Sequence, residues 1–392
     1  MSAVYLQELT WISALGRGAA ARDAVFSVPA QGCAPTDRFT PGRALHLGRV
    51  QQDLPSLDAE PVQYRSRTNA LLAAVLDDLH GPLESLRARV AAQRIAVVLG
   101  VSAAGLQEGV AAANLWREQG RWPDGYDYAQ QEMGNAAAFV ARRAGARGPA
   151  YTISTACSSG AKALAAGARL LRAGIADAVI AGGADALSAF TIAGFGALES
   201  VSAQRCNPLS ANRCGINIGE GAALFVLSRE AGPVRLSGWG ESSDAHHMSA
   251  PEPGGRGALA AMRQALARAQ LQPAAIQYVN LHGTATPQND AMESQAVAQL
   301  LGTGVPLSST KPLTGHTLAA AGAIEAAVCW HTLVDNPQGR LPPHWWDGER
   351  DPALPPVRVA APGETLGRAP RHVLSNSFAF GGSNACLVLS RE

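Results

Sequence analysis

The chain of 392 residues repeats itself once, and that repeat limits what it can fold into. Shifted by 155 positions without a gap, Ser154-Thr155 falls on Ser309-Thr310, Gly160 on Gly315, and Ala165-Ala166-Gly167-Ala168 on Ala320-Ala321-Gly322-Ala323. A match at one fixed spacing reads as an internal duplication in which each half sends a turn and a buried helix of small residues to a common centre. Around the first copy, residues 150–154 have the aromatic and β-branched character of a short strand, and 161–173 read as a helix rich in Ala, Leu and Arg. On this reading His316 begins the second helix as Cys157 begins the first, and the two face each other across a pseudo-two-fold axis.

The rest of the chain alternates strand-like and helix-like stretches, which predicts an α/β architecture. Strands are expected at 95–99, at 178–181 before Gly182-Gly183, at 221–228, near 234–240 and at 276–281, with helices at 67–80, 129–144, 257–269 and 290–301. Residues 1–50 suggest an edge strand and loops. The proline-rich stretch 336–370 suggests a long surface connection before a final strand pair around the turn 376–384. Two halves follow, residues 1–230 carrying Cys157 and residues 231–392 carrying both His282 and His316.

Several function classes are disfavoured. The formal net charge is +1 and no basic cluster is interleaved with aromatics, so nothing argues for nucleic acid. The six cysteines, at 33, 157, 206, 214, 329 and 386, form no CxxC pair, which argues against a zinc site or a disulfide framework and fits a reducing cytoplasm. The N-terminus lacks a basic segment before its apolar residues and carries Glu8 among them, unlike a signal peptide. The longest apolar run, 318–334, contains Glu325 and His331 and reads as a buried helix, so no membrane span is expected. Lys162 and Lys311 are the only lysines, so each invites a question.

Three polar turns carry the chemistry: Thr155-Ala156-Cys157-Ser158-Ser159-Gly160, Leu281-His282-Gly283-Thr284-Ala285-Thr286, and the turn from Ser309 through Lys311 to Gly315-His316. Each follows a strand-like run, where α/β proteins place their sites. A cysteine at a strand-to-helix turn meets unpaired N–H groups and the helix dipole, which stabilise a thiolate; it is also what a small buried packing residue looks like. One cysteine with two histidines suits thioester chemistry, a thiolate attacking a carbonyl while imidazoles donate to the oxygen on which charge develops. The helix after His316 and the charge of Lys311 are both expected to lower the His316 pKa.

Seven segments, in one order, carry a resemblance: GPAYTISTACSSGAKAL, VIAGGADAL, ANRCGINIGEGAALFVL, SSDAHHMSAPEP, HGTATPQND, STKPLTGHTLAAAGAIEA and NSFAFGGSN. The chain resembles the β-ketoacyl-acyl carrier protein synthases of the Cys-His-His class, of KAS I/II type, in the thiolase-like superfamily. The resemblance implies a five-layered αβαβα fold of two similar halves, and an acyltransferase performing decarboxylative Claisen condensation in fatty acid or polyene/polyketide synthesis. It implies that Cys157 accepts an acyl group and that His282 and His316 hold the malonyl thioester carbonyl, with Lys311 and Glu325 as a supporting pair. The N–H groups of Cys157 and Phe380 would form an oxyanion hole, Phe378 and Phe380 would gate the pocket, and Thr284 and Thr286 would touch the pantetheine arm. Ala103 would line the acyl pocket of a partner subunit. Acyl carrier protein and an identical or related condensing subunit are the implied partners, with no cofactor or metal.

Two positions depart from the family pattern: Cys214 stands where aspartate is usual, and Ala379 replaces a glycine between the two phenylalanines, which predicts altered gating or specificity. Arg65 and Arg67 could meet an acidic carrier protein, or simply be solvated. A non-catalytic chain-length partner, a cysteine hydrolase and a thiolase using Cys386 are the competing readings. The first should lack the active cysteine, the second should release free acid, and the third needs a cysteine in a late turn rather than a strand.

Overall fold

The computed structural model describes residues 2–27 and 32–392; residues 28–31, part of the stretch expected to form an edge strand and loops, lie outside the described residues. Ten strands carry the architecture: β1 (Tyr5–Ser13), β2 (Ile95–Gly100), β3 (Ala150–Ile153), β4 (Ala178–Asp185), β5 (Gly221–Ser228), β6 (Val234–Ser243), β7 (Tyr278–Asn280), β8 (Leu307–Ser308), β9 (His372–Ala379) and β10 (Ser383–Arg391). The helices that concern the site are α1 (Arg67–Asp78), α2 (Leu106–Gln119), α3 (Met133–Ala144), α4 (Ser159–Arg172), α5 (Ala189–Ala197), α6 (Arg256–Ala269), α7 (Pro287–Leu301) and α8 (Ala321–Leu333).

The strands run in the order β8-β7-β9-β10-β6-β1-β5-β4-β2-β3. In chain order, each of β1 to β5 has a counterpart five strands later, β1 with β6 through β5 with β10. β2 lies parallel to β3 and β4, as β7 does to β8 and β9; β4 and β5 are antiparallel, as are β9 and β10. β5 then pairs antiparallel with β1, and β10 with β6. The two sets meet where β1 and β6 pair over only two positions, Tyr5 with Arg235 and Leu6 with Val234.

Alternation along the strands builds the layers, because successive side chains leave opposite faces. In β2, Ala96 and Val98 join the cluster around α4 and α8, whereas Ile95, Val97 and Leu99 join the one beneath α1 and α3. In β10, Ala385, Leu387 and Leu389 face the same central cluster, and Cys386 and Val388 face α6 and α7. Both α4 and α8 touch strands of both halves. The result is the five-layered αβαβα arrangement: α1 and α3, five strands, α4 and α8, five strands, α6 and α7.

The central helices approach through their small residues. A Cβ on Gly160 would stand 2.8 Å from the Ala319 carbonyl oxygen and the Ala323 nitrogen, and one on Gly322 would stand 2.8 Å from the Ala161 nitrogen. Gly160 and Gly322 thus play matching parts, whereas the 155-position shift sets Gly160 on Gly315, which packs against Gly219 instead.

Four sequence expectations change. β1 is not an edge strand: it pairs with β5 from Tyr5 to Ile12 and occupies the middle of the ladder. β4 continues through Gly182 and Gly183, where a side chain on Gly182 would collide with the backbone of Ala223 on the neighbouring strand. Strands β9 and β10 stay paired up to Ala379 and Ser383, so the expected turn at 376–384 shrinks to Phe380–Gly382. Part of the 336–370 connection is buried: the His344 ring joins the Ser309 N–H to the Pro208 carbonyl, 3.1 and 2.9 Å away.

Candidate active site

The first half delivers Cys157 on a strained turn between β3 and α4. Ala156 adopts φ 50°, a left-handed conformation costly for a residue with a Cβ. It is held by the Ser159 hydroxyl, which accepts from the Thr155 N–H at 2.8 Å and donates to the Ala156 carbonyl at 2.5 Å. The cysteine is 6% exposed. Burial pushes its thiol up to about 11, although the Lys311 charge and the backbone N–H groups of Phe380 and of Cys157 itself pull the other way. The thiolate-stabilising influences expected of the turn are therefore present, with burial opposing them.

The second half delivers two imidazoles. His282 follows β7, and its turn is shaped by Glu293 of α7, a carboxylate 1% exposed that accepts from the His282 N–H at 2.8 Å and the Gly283 N–H at 2.7 Å. Gly283 lies at φ 44°, and a Cβ there would stand 2.5 Å from Ser309 Cβ. His316 is fixed through its backbone, whose N–H donates to the Asn217 carbonyl at 2.6 Å. Asn217 is itself fully buried, with its side chain bonded to Cys206, Ser202 and Gln204. Contrary to expectation His316 does not open the second helix, because α8 starts at Ala321 after a short 3-10 turn, Leu318–Ala320.

The two halves converge on a small space. His316 Nε2 lies 2.9 Å from Cys157 Sγ, and the two imidazoles stand edge to face, 5.4 Å apart at 85°. One ligand atom from each of Cys157, His282 and His316 falls within 4.8 Å of the others, so all three could reach a single oxygen atom. Both rings have pKa values well below the usual histidine range, through burial first and the Lys311 charge second. They are neutral donors at physiological pH, as an oxygen gaining negative charge requires.

Lys311, 1% exposed, donates from Nζ to Glu325 Oε1 at 2.5 Å and also to the His282 carbonyl. Burial holds the Glu325 carboxyl up to about 7, with the Lys311 charge opposing it. A lone buried ammonium would be prohibitive; paired, it places a positive charge behind both rings.

Phe378 and Phe380 line the cavity above Cys157 with Thr284 and Thr286, whose hydroxyls are 2.9 Å apart. Phe195 of α5, not singled out from the sequence, faces Phe380 at 5.7 Å between ring centroids. Ala103 is not at this cavity; it is buried, with its N–H on Asp185 Oδ1 at 2.7 Å. Ala379 sits at φ −100°, ordinary for alanine, so it imposes no strain on this turn, whose left-handed positions are Gly381 and Gly382. Cys214 is exposed, 3.2 Å from the Ser202 hydroxyl. Arg67 is committed elsewhere, to the fully buried Glu220 through bonds of 2.5 and 2.8 Å, so it does not offer a free charge to a carrier protein. Cys386 lies inside β10, buried, rather than in a late turn.

The N-terminal β-ketoacyl synthase domain family matches residues 75–232, and the C-terminal domain of the same family matches residues 234–344. A chain of the solved complex of a ketosynthase with its chain length factor from Xenorhabdus doucetiae is 41% identical, with all of this chain and 98% of that one covered and a TM-score of 0.94. A β-ketoacyl synthase from Burkholderia phymatum superposes with a TM-score of 0.85 at 27% identity, with both chains fully covered. Among curated sequences, 3-oxoacyl-[acyl-carrier-protein] synthase 2 of Synechocystis is 35% identical over 274 residues, and the match spans 65% of each chain. This chain belongs to the β-ketoacyl synthase family, in its Cys-His-His branch.

Proposed function

We propose that the protein extends an acyl chain by two carbons through decarboxylative Claisen condensation, as a β-ketoacyl-acyl carrier protein synthase of fatty acid or polyene/polyketide synthesis. The convergence of Cys157, His282 and His316 within 4.8 Å carries this reading. In the first step the Cys157 sulphur attacks the acyl thioester, a new S–C bond forms, and the carrier thiol leaves with the proton that Cys157 gave up. The N–H groups of Cys157 and Phe380 stabilise the oxyanion. In the second step the malonyl thioester carbonyl accepts from the two neutral imidazoles, CO2 departs, and the resulting enolate carbon attacks the acyl carbonyl. The S–C bond to Cys157 breaks, the sulphur takes up a proton from solvent, and the 3-ketoacyl thioester leaves on its carrier.

Acyl groups enter on the phosphopantetheine arm of acyl carrier protein past Thr284 and Thr286, and no resident cofactor takes part. Strand β3 ends the ladder with one side unpaired and Tyr151 37% exposed, an edge suited to a second, identical or related, condensing subunit. Among the described residues no helix is long and apolar enough to cross a membrane, and we place the enzyme in the cytoplasm. The test offers the protein a panel of acyl carrier proteins and weighs Cys157 peptides by mass spectrometry. An acyl adduct on Cys157, followed by 3-ketoacyl product when malonyl carrier protein is added, supports the reading; free acid without that product refutes it.

A further inference from the structure

Lys162, one of two lysines in the chain, is not used by the chemistry above. It sits one turn into α4, its N–H bonded to the Ser158 carbonyl at 3.0 Å, and is half-buried. Burial first, and the Arg169 charge second, lower its pKa, and no carboxylate opposes them. A half-buried ammonium without a carboxylate must have its charge answered by neutral acceptors. The acceptor is the Ser383 hydroxyl, 2.6 Å from Nζ.

Ser383 is the residue that follows the Phe380–Gly382 turn. Its hydroxyl also lies 3.0 Å from that of Ser158, which reaches the Thr155 carbonyl at 2.8 Å. The Ser158 hydroxyl is the donor to Ser383, so the Ser383 oxygen accepts from both Lys162 and Ser158. Of the two bonds that Ser383 accepts, the one from the charged Lys162 is the stronger. The turn is also fastened within its own half, by the Gly381 N–H to the Met248 carbonyl at 2.7 Å and the Asp244 N–H to the Gly382 carbonyl at 2.9 Å. Those bonds fix its shape. They do not fix its distance from Cys157, which lies on the other half. Nothing stands within 4 Å of a Cβ built on Gly381, and the aromatic contact that reaches this turn from the other half is that of Phe195 with Phe380.

We propose that Lys162 is a positioning residue of acyl transfer: together with Ser158 it holds the Ser383 hydroxyl, ties the exit of the Phe380 turn to the segment bearing Cys157, and so keeps the Phe380 N–H near the sulphur. The role rests on the condensing-enzyme reading given above. It separates the two half-reactions, because the Phe380 N–H serves the oxyanion of acyl transfer whereas malonyl decarboxylation is carried by His282 and His316.

The test measures acyl transfer onto Cys157 and CO2 release from malonyl carrier protein as separate rates. Lys162→Met, similar in length but uncharged, should slow acyl transfer about tenfold, the scale of a lost charge-assisted hydrogen bond, and change CO2 release by less than about twofold. Lys162→Arg should recover most of the rate. Ser383→Ala removes the Ser158 contact as well and should slow acyl transfer at least as much as Lys162→Met, and the double variant should be no slower than Ser383→Ala alone, because both variants remove the Lys162–Ser383 contact. If Lys162→Met does not fold, Ser383→Ala reads the same contact from the other side. Parallel loss of both rates, losses that multiply in the double variant, or wild-type acyl transfer in Ser383→Ala would overturn the proposal. If the wild-type protein itself loads no acyl group, it is the condensing-enzyme reading that fails, and the two failures are thereby distinct.

Discussion

The two turns that meet at the site solve the same problem differently. In the first half, α4 begins at Ser159, two residues after Cys157, and serine hydroxyls brace the strained Ala156. In the second half, α8 begins five residues beyond His316, and rigidity comes instead from buried charge: Lys311 with Glu325, and Glu293 on the His282 turn. A nucleophile needs backbone N–H groups close by, so it belongs at a helix start. Two rings that must stay neutral need burial and a cation behind them, so they are held by a salt bridge instead. A duplicated fold thus supplies two equivalent positions, and local polar groups decide what each one does.

Breaking each device should cost in proportion to its place in this comparison. Cys157→Ala should abolish condensation, by more than about a thousandfold, since no other group can carry the acyl chain; product formation measures it. Lys311→Met leaves Glu325 buried without a partner and should destabilise the fold by about 3–5 kcal/mol, read by denaturant unfolding. His282→Ala should slow malonyl decarboxylation by about a hundred- to a thousandfold, as for loss of one oxyanion donor. Gly160→Ala pushes a methyl group against the α8 backbone and should cost about 1–3 kcal/mol, with a smaller rate loss as the halves separate.

The smallest effect is in pH. Burial holds the carboxyls of Asp185, Glu293 and Glu325 up to about 6, 7 and 7, above unfolded values near 4. A carboxyl raised by folding stabilises the fold fully below its unfolded pKa, and that contribution is lost as pH rises through the folded value. Between about pH 5 and about 7.5 these carboxyls pull the melting temperature down as pH rises, against the buried neutral imidazoles of His282 and His316, which pull it up; Glu293→Gln should therefore shift the slope towards a rise with pH, and an unchanged slope would remove Glu293 as a source.

What could be read from the sequence was local. The turns at Cys157, His282 and His316, the small-residue helices and most strands announce themselves through glycine, β-branched runs and the 155-residue repeat. What escaped depends on distant partners. β1 looked like an edge because nothing in its own residues says that β5 and β6 flank it, more than 200 positions away. Glu293 looked like any helical acid; only folding brings it to the His282 and Gly283 N–H groups. Phe195 lay in an apolar helix whose facing surface could not be told from spacing, and for Cys157 the turn's N–H groups were visible in sequence whereas the depth of burial that opposes them was not.

The division of labour between the halves is the central claim, and CO2 release from malonyl carrier protein tests it most directly. Cys157→Ala should still release CO2, while His282→Ala should accept an acyl group on Cys157 yet release almost none. If Cys157→Ala is as silent as His282→Ala, or if His282→Ala fails to take up the acyl group, the two halves do not divide the chemistry in this way.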